Sequence, residues 1–265
     1  MTSPQISVHN LNLALGDKPI LTALNFAIQS GQFIGLIGPN GAGKSSLLRC
    51  LYRYWHPSEG EIRYAGKPLS DYPRRAYARQ VAVVLQEIPS QFNLALFEVV
   101  AMGVTPHKTL FSAVNTRDKQ LILEALERVG LSHKAQQQFD ALSGGEKQRA
   151  MIARAMVQQP ELLIMDEPTS HLDVKYQIQI MELAKAMGVT VIASFHDLNL
   201  AAALSDELLV LEQGQLIAQG APLEIITPGL LSDVFGVCAD VETVPGPRRN
   251  ASGVPHIRYH YGYQQ

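Results

Sequence analysis

The chain has 265 residues, 46% of them hydrophobic, and a formal net charge of -2. That length suits one large domain or two small ones with a substantial core, and the near-neutral balance gives no electrostatic basis for binding nucleic acid or an anionic membrane. Cys50 and Cys238 lack metal-ligand spacing, which suits a reducing compartment and excludes a disulfide framework.

MTSPQISVHN at the start lacks the basic and apolar regions of a signal peptide, and no apolar run approaches the roughly 18 residues of a transmembrane helix. The expectation is a soluble, cytoplasmic chain that reaches a membrane only through another subunit. Residues 6–37 alternate apolar and polar around turn signals at Gly16-Asp17 and Ser30-Gly31, predicting two or three strands. The last apolar run, 33–37, leads into Gly38-Pro39-Asn40-Gly41-Ala42-Gly43-Lys44-Ser45, and Leu47, Leu48 and Leu51 follow at helical spacing over 45–54.

This strand–loop–helix fits G-x-x-x-x-G-K-[ST] at every fixed position. Its glycines let the backbone curl so that N–H groups point at a polyphosphate, and the helix N-terminus adds partial positive charge. Lys44 is expected to reach the β- and γ-phosphates and the Ser45 hydroxyl to ligate Mg²⁺, with Ser46 beside it in the nucleotide-binding set. A glycine-rich turn that binds nothing does not account for all fixed positions in the required context. The stretch predicts a nucleoside-triphosphate site.

Beyond it, 57–60 is a turn, 61–64 with 66–67 a short hairpin, and 80–85 a buried strand ending at Gln86. Residues 87–141 change character: Phe97, Val100, Ala101 and Val104 fall at i, i+3, i+4, i+7, and Leu121, Ile122, Ala125, Leu126 and Val129 continue the pattern up to Gly130. This predicts a mostly helical insertion, its stripes forming subdomain core. Strands follow at 162–165 and 189–195, helices at 174–187 and 197–204, and a hairpin pairs 207–212 with 215–219 across Gln213-Gly214. The tail from Val244 is rich in Pro, Gly and Arg; a frayed or edge-packed terminus explains it better than metal binding by His256 and His260.

Two further stretches carry chemistry. Asp166 and Glu167 end the apolar run 162–165, at the strand end where open α/β sheets bind ligands. Asp166 suits a water-mediated Mg²⁺ contact, and Glu167 can polarise an attacking water as general base. Surface carboxylates would explain such a pair alone; downstream of a phosphate loop it gains weight. In Leu142-Ser143-Gly144-Gly145-Glu146, two glycines before a helix expose backbone donors at a positive helix end. An ordinary N-cap at Ser143, with Glu146 closing a capping box, uses the same donors and is compatible with anion binding.

With these residues quoted, the chain closely resembles the nucleotide-binding subunits of ATP-binding-cassette (ABC) transporters over roughly residues 6–235. GPNGAGKS looks like the family's Walker A motif, LLIMDEP its Walker B, and LSGGE with Lys147-Gln148-Arg149 its signature. Gln86 is similar to the Q-loop glutamine, Ser170-His171-Leu172-Asp173 to the D-loop, and His196 to the switch histidine. The resemblance implies an α/β P-loop NTPase core, a mostly parallel sheet with N-terminal antiparallel strands, and an inserted helical subdomain. The expected ABC ATPase domain is 1–240 (core 1–86 and 160–240, insertion about 87–159), with a tail at 241–265.

It also implies a mechanism that one chain cannot complete. Two copies pair head to tail, and ATP with Mg²⁺ is sandwiched between one chain's Walker A and the other's signature, so that Ser143, Gly144 and Gly145 meet the nucleotide held by the other copy. His196 would hold the γ-phosphate and help order Glu167, while Gln86 would sense Mg²⁺ and relay to a membrane permease. Leu15 stands where family members often place an aromatic residue to stack on adenine, and His171 where a small residue is frequent.

Residues 97–107, FEVVAMGVTPH, look like the E-V-V-x-x-G-R-x-P stretch of importers of ferric siderophores, haem and cobalamin, with Val104 replacing the arginine; 227–236 is also similar to that group. The implied role is the energising ATPase of such an importer, peripheral on the cytoplasmic face of the inner membrane, with polytopic permease subunits and, indirectly, a substrate-binding protein as partners. A soluble cassette ATPase of iron–sulfur cluster assembly, or a regulatory cassette, would share every nucleotide motif. The insertion favours a transporter subunit, and the single phosphate loop disfavours a regulatory cassette. A small-molecule kinase would leave LSGGE without a purpose.

Overall fold

The computed structural model describes residues 4–85, 93–109, 112–170, 172–245 and 253–260. The chain divides into two compact units, Met1–Asp71 with Ile192–Gln265, and Tyr72–Val191. No helix among the described residues is long and apolar enough to cross a membrane.

The first unit begins with β1 (Ile6–Leu15) and β2 (Lys18–Ile28), an antiparallel pair with Ile6 opposite Ile28 and Leu13 opposite Leu21. Ile6, Val8, Leu11 and Leu13 on one strand and Leu21, Leu24, Phe26 and Ile28 on the other are buried, a period-two pattern of a sheet with one covered face that changes phase at the pairing irregularities after Val8 and Leu21. Next come β3 (Phe33–Ile37), α1 (Lys44–Leu51), β4 (Glu59–Tyr64) and β5 (Lys67–Pro68), with sheet order β2-β1-β4-β5. All five residues of β3 are buried, as a two-sided central strand requires.

The second unit comprises α2 (Arg74–Gln80), β6 (Val81–Val84), α3 (Leu96–Ala101), α4 (Thr116–Arg128), α5 (Gly144–Gln158), β7 (Leu162–Met165), α6 (Val174–Ala186) and the start of β8 (Thr190–Ser194). β6 and β7 run parallel, Val81 beside Leu162 and Val84 beside Met165. α5 is the spine: it packs on α3, α4, α6 and β6 and buries Ala150, Met151, Ile152, Ala153, Ala155 and Val157.

The helical stripe expected over 97–104 is split. α3 ends at Ala101, and Met102–His107 continue as a tighter 3₁₀ helix. A side chain at Gly103 would place its Cβ 2.3 Å from the Arg154 carbonyl oxygen, so the turn presses backbone against α5, and Pro106 has no N–H to continue a ladder. The Pro106 carbonyl accepts from Arg75 Nε (3.0 Å) and Arg79 Nε (2.9 Å). Those two bonds, the Gln158 Nε2 donation to the Ala78 carbonyl (2.6 Å) and the buried Tyr77 dock α2, a helix the sequence pattern did not suggest.

The chain returns to the first unit with the end of β8, then α7 (Leu198–Leu204), β9 (Glu207–Glu212), β10 (Gln215–Gly220), α8 (Pro222–Ile225), α9 (Pro228–Phe235), β11 (Ala239–Val244) and β12 (Val254–Tyr259). β9 lies parallel to β3, Ile37 beside Val210, and β10 pairs antiparallel with β9 as the turn at Gln213-Gly214 predicts. On the other flank of β3, Phe195 N–H donates to the Leu36 carbonyl (3.0 Å). β11 and β12 pair antiparallel with Ala239 opposite Tyr259, and Arg258 bridges to Asp240 at 2.7 Å. His256 and His260 join no metal-holding group among the described residues.

Candidate nucleotide site

The phosphate loop grows from β3. Ile34, Leu36 and Ile37 are fully buried, and burial of such side chains contributes roughly 1.5–3 kcal/mol each. They fix the strand end from which the loop departs. Gly38 has φ 151°, and a Cβ there would sit 2.1 Å from the Leu211 carbonyl oxygen of β9. Gly43, with φ 100°, precedes α1 in the left-handed region, and its Cβ would meet the Leu21 side chain at 2.7 Å. Both positions require glycine. Gly214 N–H donates to the Ala42 carbonyl at 3.0 Å, tying the loop to the β9–β10 turn.

Lys44 is 5% exposed, and its Nζ donates to the Gly38 (2.7 Å) and Pro39 (3.0 Å) carbonyls across the curl of the loop. Ser45 and Ser46 follow in the first turn of α1, which carries no acidic side chain. A buried ammonium, two hydroxyls and a helix N-terminus without its own carboxylate form a donor set that fits a polyphosphate. Pro39, Asn40 and Gly41 complete the loop, with Asn40 and Gly41 exposed. His196, exposed, follows Phe195, so the structure brings it out beside the end of β3 from which the loop starts. Leu15 is 43% exposed at the end of β1. Cys50, on the inner face of α1, is buried, and burial pushes its thiol up to about 11; it packs rather than reacts.

In the second unit β7 is fully buried and delivers Asp166, 6% exposed, whose N–H donates to the Val84 carbonyl at 3.0 Å. Glu167 has φ 47°, the left-handed region that a non-glycine residue adopts at a cost of order 1–3 kcal/mol. Its carboxylate accepts from the Ser170 hydroxyl at 3.2 Å. The chain then turns into α6, where Gln177 Nε2 donates to the Leu172 (2.9 Å) and Thr169 (3.2 Å) carbonyls.

The 142–146 stretch opens α5. Ser143 is the N-cap: its Oγ accepts from Glu146 N–H at 3.4 Å, and the Glu146 carboxylate accepts from Ser143 N–H at 3.0 Å. This is the reciprocal box expected from the sequence. Lys134 Nζ adds an ion pair to Glu146 at 2.6 Å. The Lys134 ammonium first, then the Ser143 N–H, hold the Glu146 carboxyl down at about 2. Gly144 is exposed, while a Cβ on buried Gly145 would touch the Tyr176 ring at 3.2 Å. The Arg149 guanidinium lies 5.2 Å from the centre of that ring. Glu167, Ser170, the Thr169 and Leu172 carbonyls, the first turn of α6 and the start of α5 therefore lie in one chain of contacts within this unit.

Gln86 and His171 lie outside the described residues. Two further parts of the neighbourhood carry no sequence signal. The left-handed backbone at Glu167 is set by the turn that follows β7, and the Lys134–Glu146 pair joins residues in separate segments.

Residues 21–170 match the family model of the ABC transporter. The chain is 36% identical to the iron(3+)-hydroxamate import ATP-binding protein of Bacillus subtilis, covering 92% of each chain. It is also 41% identical to the hemin import ATP-binding protein of Bordetella avium, covering 92% of this chain and 95% of that one. The ferric enterobactin transport ATP-binding protein of Escherichia coli is 36% identical over 86% of this chain and 85% of that one. Among solved structures, an ABC transporter assigned to the metal-chelate type, in an inward-facing conformation, superposes with a TM-score of 0.83 at 28% identity over 98% of both chains. The phosphate loop, the acidic end of β7, the capped LSGGE helix and these relatives together establish that the chain belongs to the ABC transporter family, as one of its ATP-binding ATPase subunits.

Proposed function

We propose that the chain energises an importer of an iron chelate, a ferric siderophore or haem, with cobalamin as the neighbouring possibility. The observation that carries this reading is that relatives matched over 85% or more of their length are named for iron(3+)-hydroxamate import, ferric enterobactin transport and hemin import. The FEVVAMGVTPH stretch agrees with it.

In this reading residues 38–46 bind the ATP phosphates through backbone donors, Lys44 and the hydroxyls of Ser45 and Ser46. Lys44 exchanges the Gly38 and Pro39 carbonyls for phosphate oxygens. Ser45, Asp166 and Gln86 are the residues that would hold Mg²⁺, which would neutralise charge on the phosphates. Glu167 takes a proton from the attacking water, its carboxylate oriented by Ser170. His196 contacts the γ-phosphate. Ser143, Gly144 and Gly145 offer the capped start of α5 to the nucleotide of a second copy, so hydrolysis requires a dimer. The complex sits on the cytoplasmic face of the inner membrane, with polytopic permease subunits as direct partners and a substrate-binding protein as an indirect one.

The test is a tagged pull-down from detergent-solubilised native membranes, with mass spectrometry of what co-purifies. A polytopic permease is the expected partner, and its binding protein then discriminates iron chelates, haem and cobalamin. Recovery of soluble partners alone would move the function to a cassette ATPase of cluster assembly.

A further inference from the structure

His196 stands between two pins. Upstream, Phe195 N–H is bonded to the Leu36 carbonyl of β3 at 3.0 Å. Downstream, the Asn199 amide makes two bonds to one residue of the C-terminal hairpin: its Oδ1 accepts from Ile257 N–H at 2.7 Å, and its Nδ2 donates to the Ile257 carbonyl at 3.1 Å. The side chain thus behaves as a short extra strand on the free edge of β12. The hairpin itself is anchored, since β12 packs on α7 and α8 and β11 on α9, with Val254, Ile257 and Ala239 buried.

α7 needs such a tether. It has seven residues, well below the roughly 12–15 that an isolated helix requires in water. Its other support includes packing against β3, the Asp197 cap on Leu200 N–H (3.0 Å) and the burial of Leu198, Ala201 and Ala202. Two of those three are alanines, which bury little area to fix the helix in place. Asn199 lies three residues after His196, so displacement of this point carries directly into the turn that holds the histidine.

We propose that Asn199 is a positioning residue: by clamping α7 to β12 it sets the placement of His196, and the C-terminal hairpin is thereby part of the catalytic apparatus. The inference rests on the reading of His196 as a γ-phosphate contact. If Asn199 only fastened the hairpin, its loss would lower stability and leave turnover intact.

The experiment uses the full chain and measures the ATP dissociation constant, kcat, with residual turnover followed by labelled ATP, and the thermal midpoint. Asn199→Ala is expected to lower kcat about five- to twentyfold with the ATP dissociation constant unchanged, and deletion of residues 246–265 to reproduce that loss. Asn199→Asp, which keeps the acceptor for Ile257 N–H and loses the donor, should fall between and serves if the alanine variant does not fold. Adding Asn199→Ala to His196→Ala should lower kcat no further than His196→Ala alone. Wild-type kcat in folded Asn199→Ala, or the same fractional loss in both backgrounds, would overturn the positioning role while leaving His196 in place. Wild-type kcat in His196→Ala would instead overturn the assignment of the histidine, and the inference with it.

Discussion

Lys134→Met tests whether the start of α5 is held electrostatically. Methionine keeps the apolar stem and removes the ammonium that meets Glu146 at 2.6 Å. The fall of the Glu146 carboxyl from 4.5 to about 2 sets a ceiling of about 3 kcal/mol on what its partners contribute. Ser143 N–H holds part of that and persists in the variant. The side chains of Lys134 and Glu146 remain 27% and 19% exposed, and solvent-screened pairs contribute about 0.2–1 kcal/mol. The expected local destabilisation at pH 7 is therefore about 1 kcal/mol. Because the folded carboxyl titrates below its unfolded value, this contribution is complete above about 4.5 and disappears as pH falls through about 2. Carboxyl-selective NMR titration should show the Glu146 midpoint rising from about 2 toward 4.5 in the variant. Hydrogen exchange at pH 7 should show faster opening of the first turns of α5. A midpoint that stays near 2, or unchanged exchange at pH 7, would refute the assignment of Lys134 as the main partner.

Lys44→Ala should weaken ATP binding by ten- to a hundredfold or about that, the range of a charge-assisted hydrogen bond. Calorimetry showing an unchanged dissociation constant would contradict the phosphate-loop role. Gly103→Ala should cost about 1–3 kcal/mol in urea unfolding, the usual penalty of overpacking, because the added Cβ would lie 2.3 Å from a backbone oxygen of α5. An unaffected midpoint would mean that the 3₁₀ turn yields without cost.

Much of the molecule is written locally. β3, the glycine loop and α1 follow from an apolar run, a fixed-spacing motif and helical leucines. The cap on α5 follows from Ser143 and Glu146 three residues apart, and the β9–β10 hairpin from Gln213-Gly214 between apolar strands. What escapes sequence reading depends on partners distant along the chain. α2 has an arginine-rich sequence without an apolar stripe, and its docking draws on distant partners, Arg75 and Arg79 reaching Pro106 and Gln158 reaching the Ala78 carbonyl. The break at Ala101 depends on backbone contact with Arg154. β11 precedes the Pro/Gly/Arg-rich tail and β12 lies within it, so their pairing joins stretches that no local pattern links, and Asn199 finds its partner 58 positions away. The left-handed Glu167 is another such case: nothing in DEP demands it, and the turn after β7 imposes it.

The proposed mechanism requires two copies of this chain to close around ATP. Sedimentation velocity of Glu167→Gln with ATP and Mg²⁺, and with ADP as control, tests it most directly. The glutamine keeps the size and hydrogen bonding of the side chain and removes the proton acceptor, so ATP binds and is not turned over. A dimer with ATP and a monomer with ADP is the expected result. A protein that binds ATP by calorimetry and stays monomeric at concentrations well above its dissociation constant would contradict the composite site.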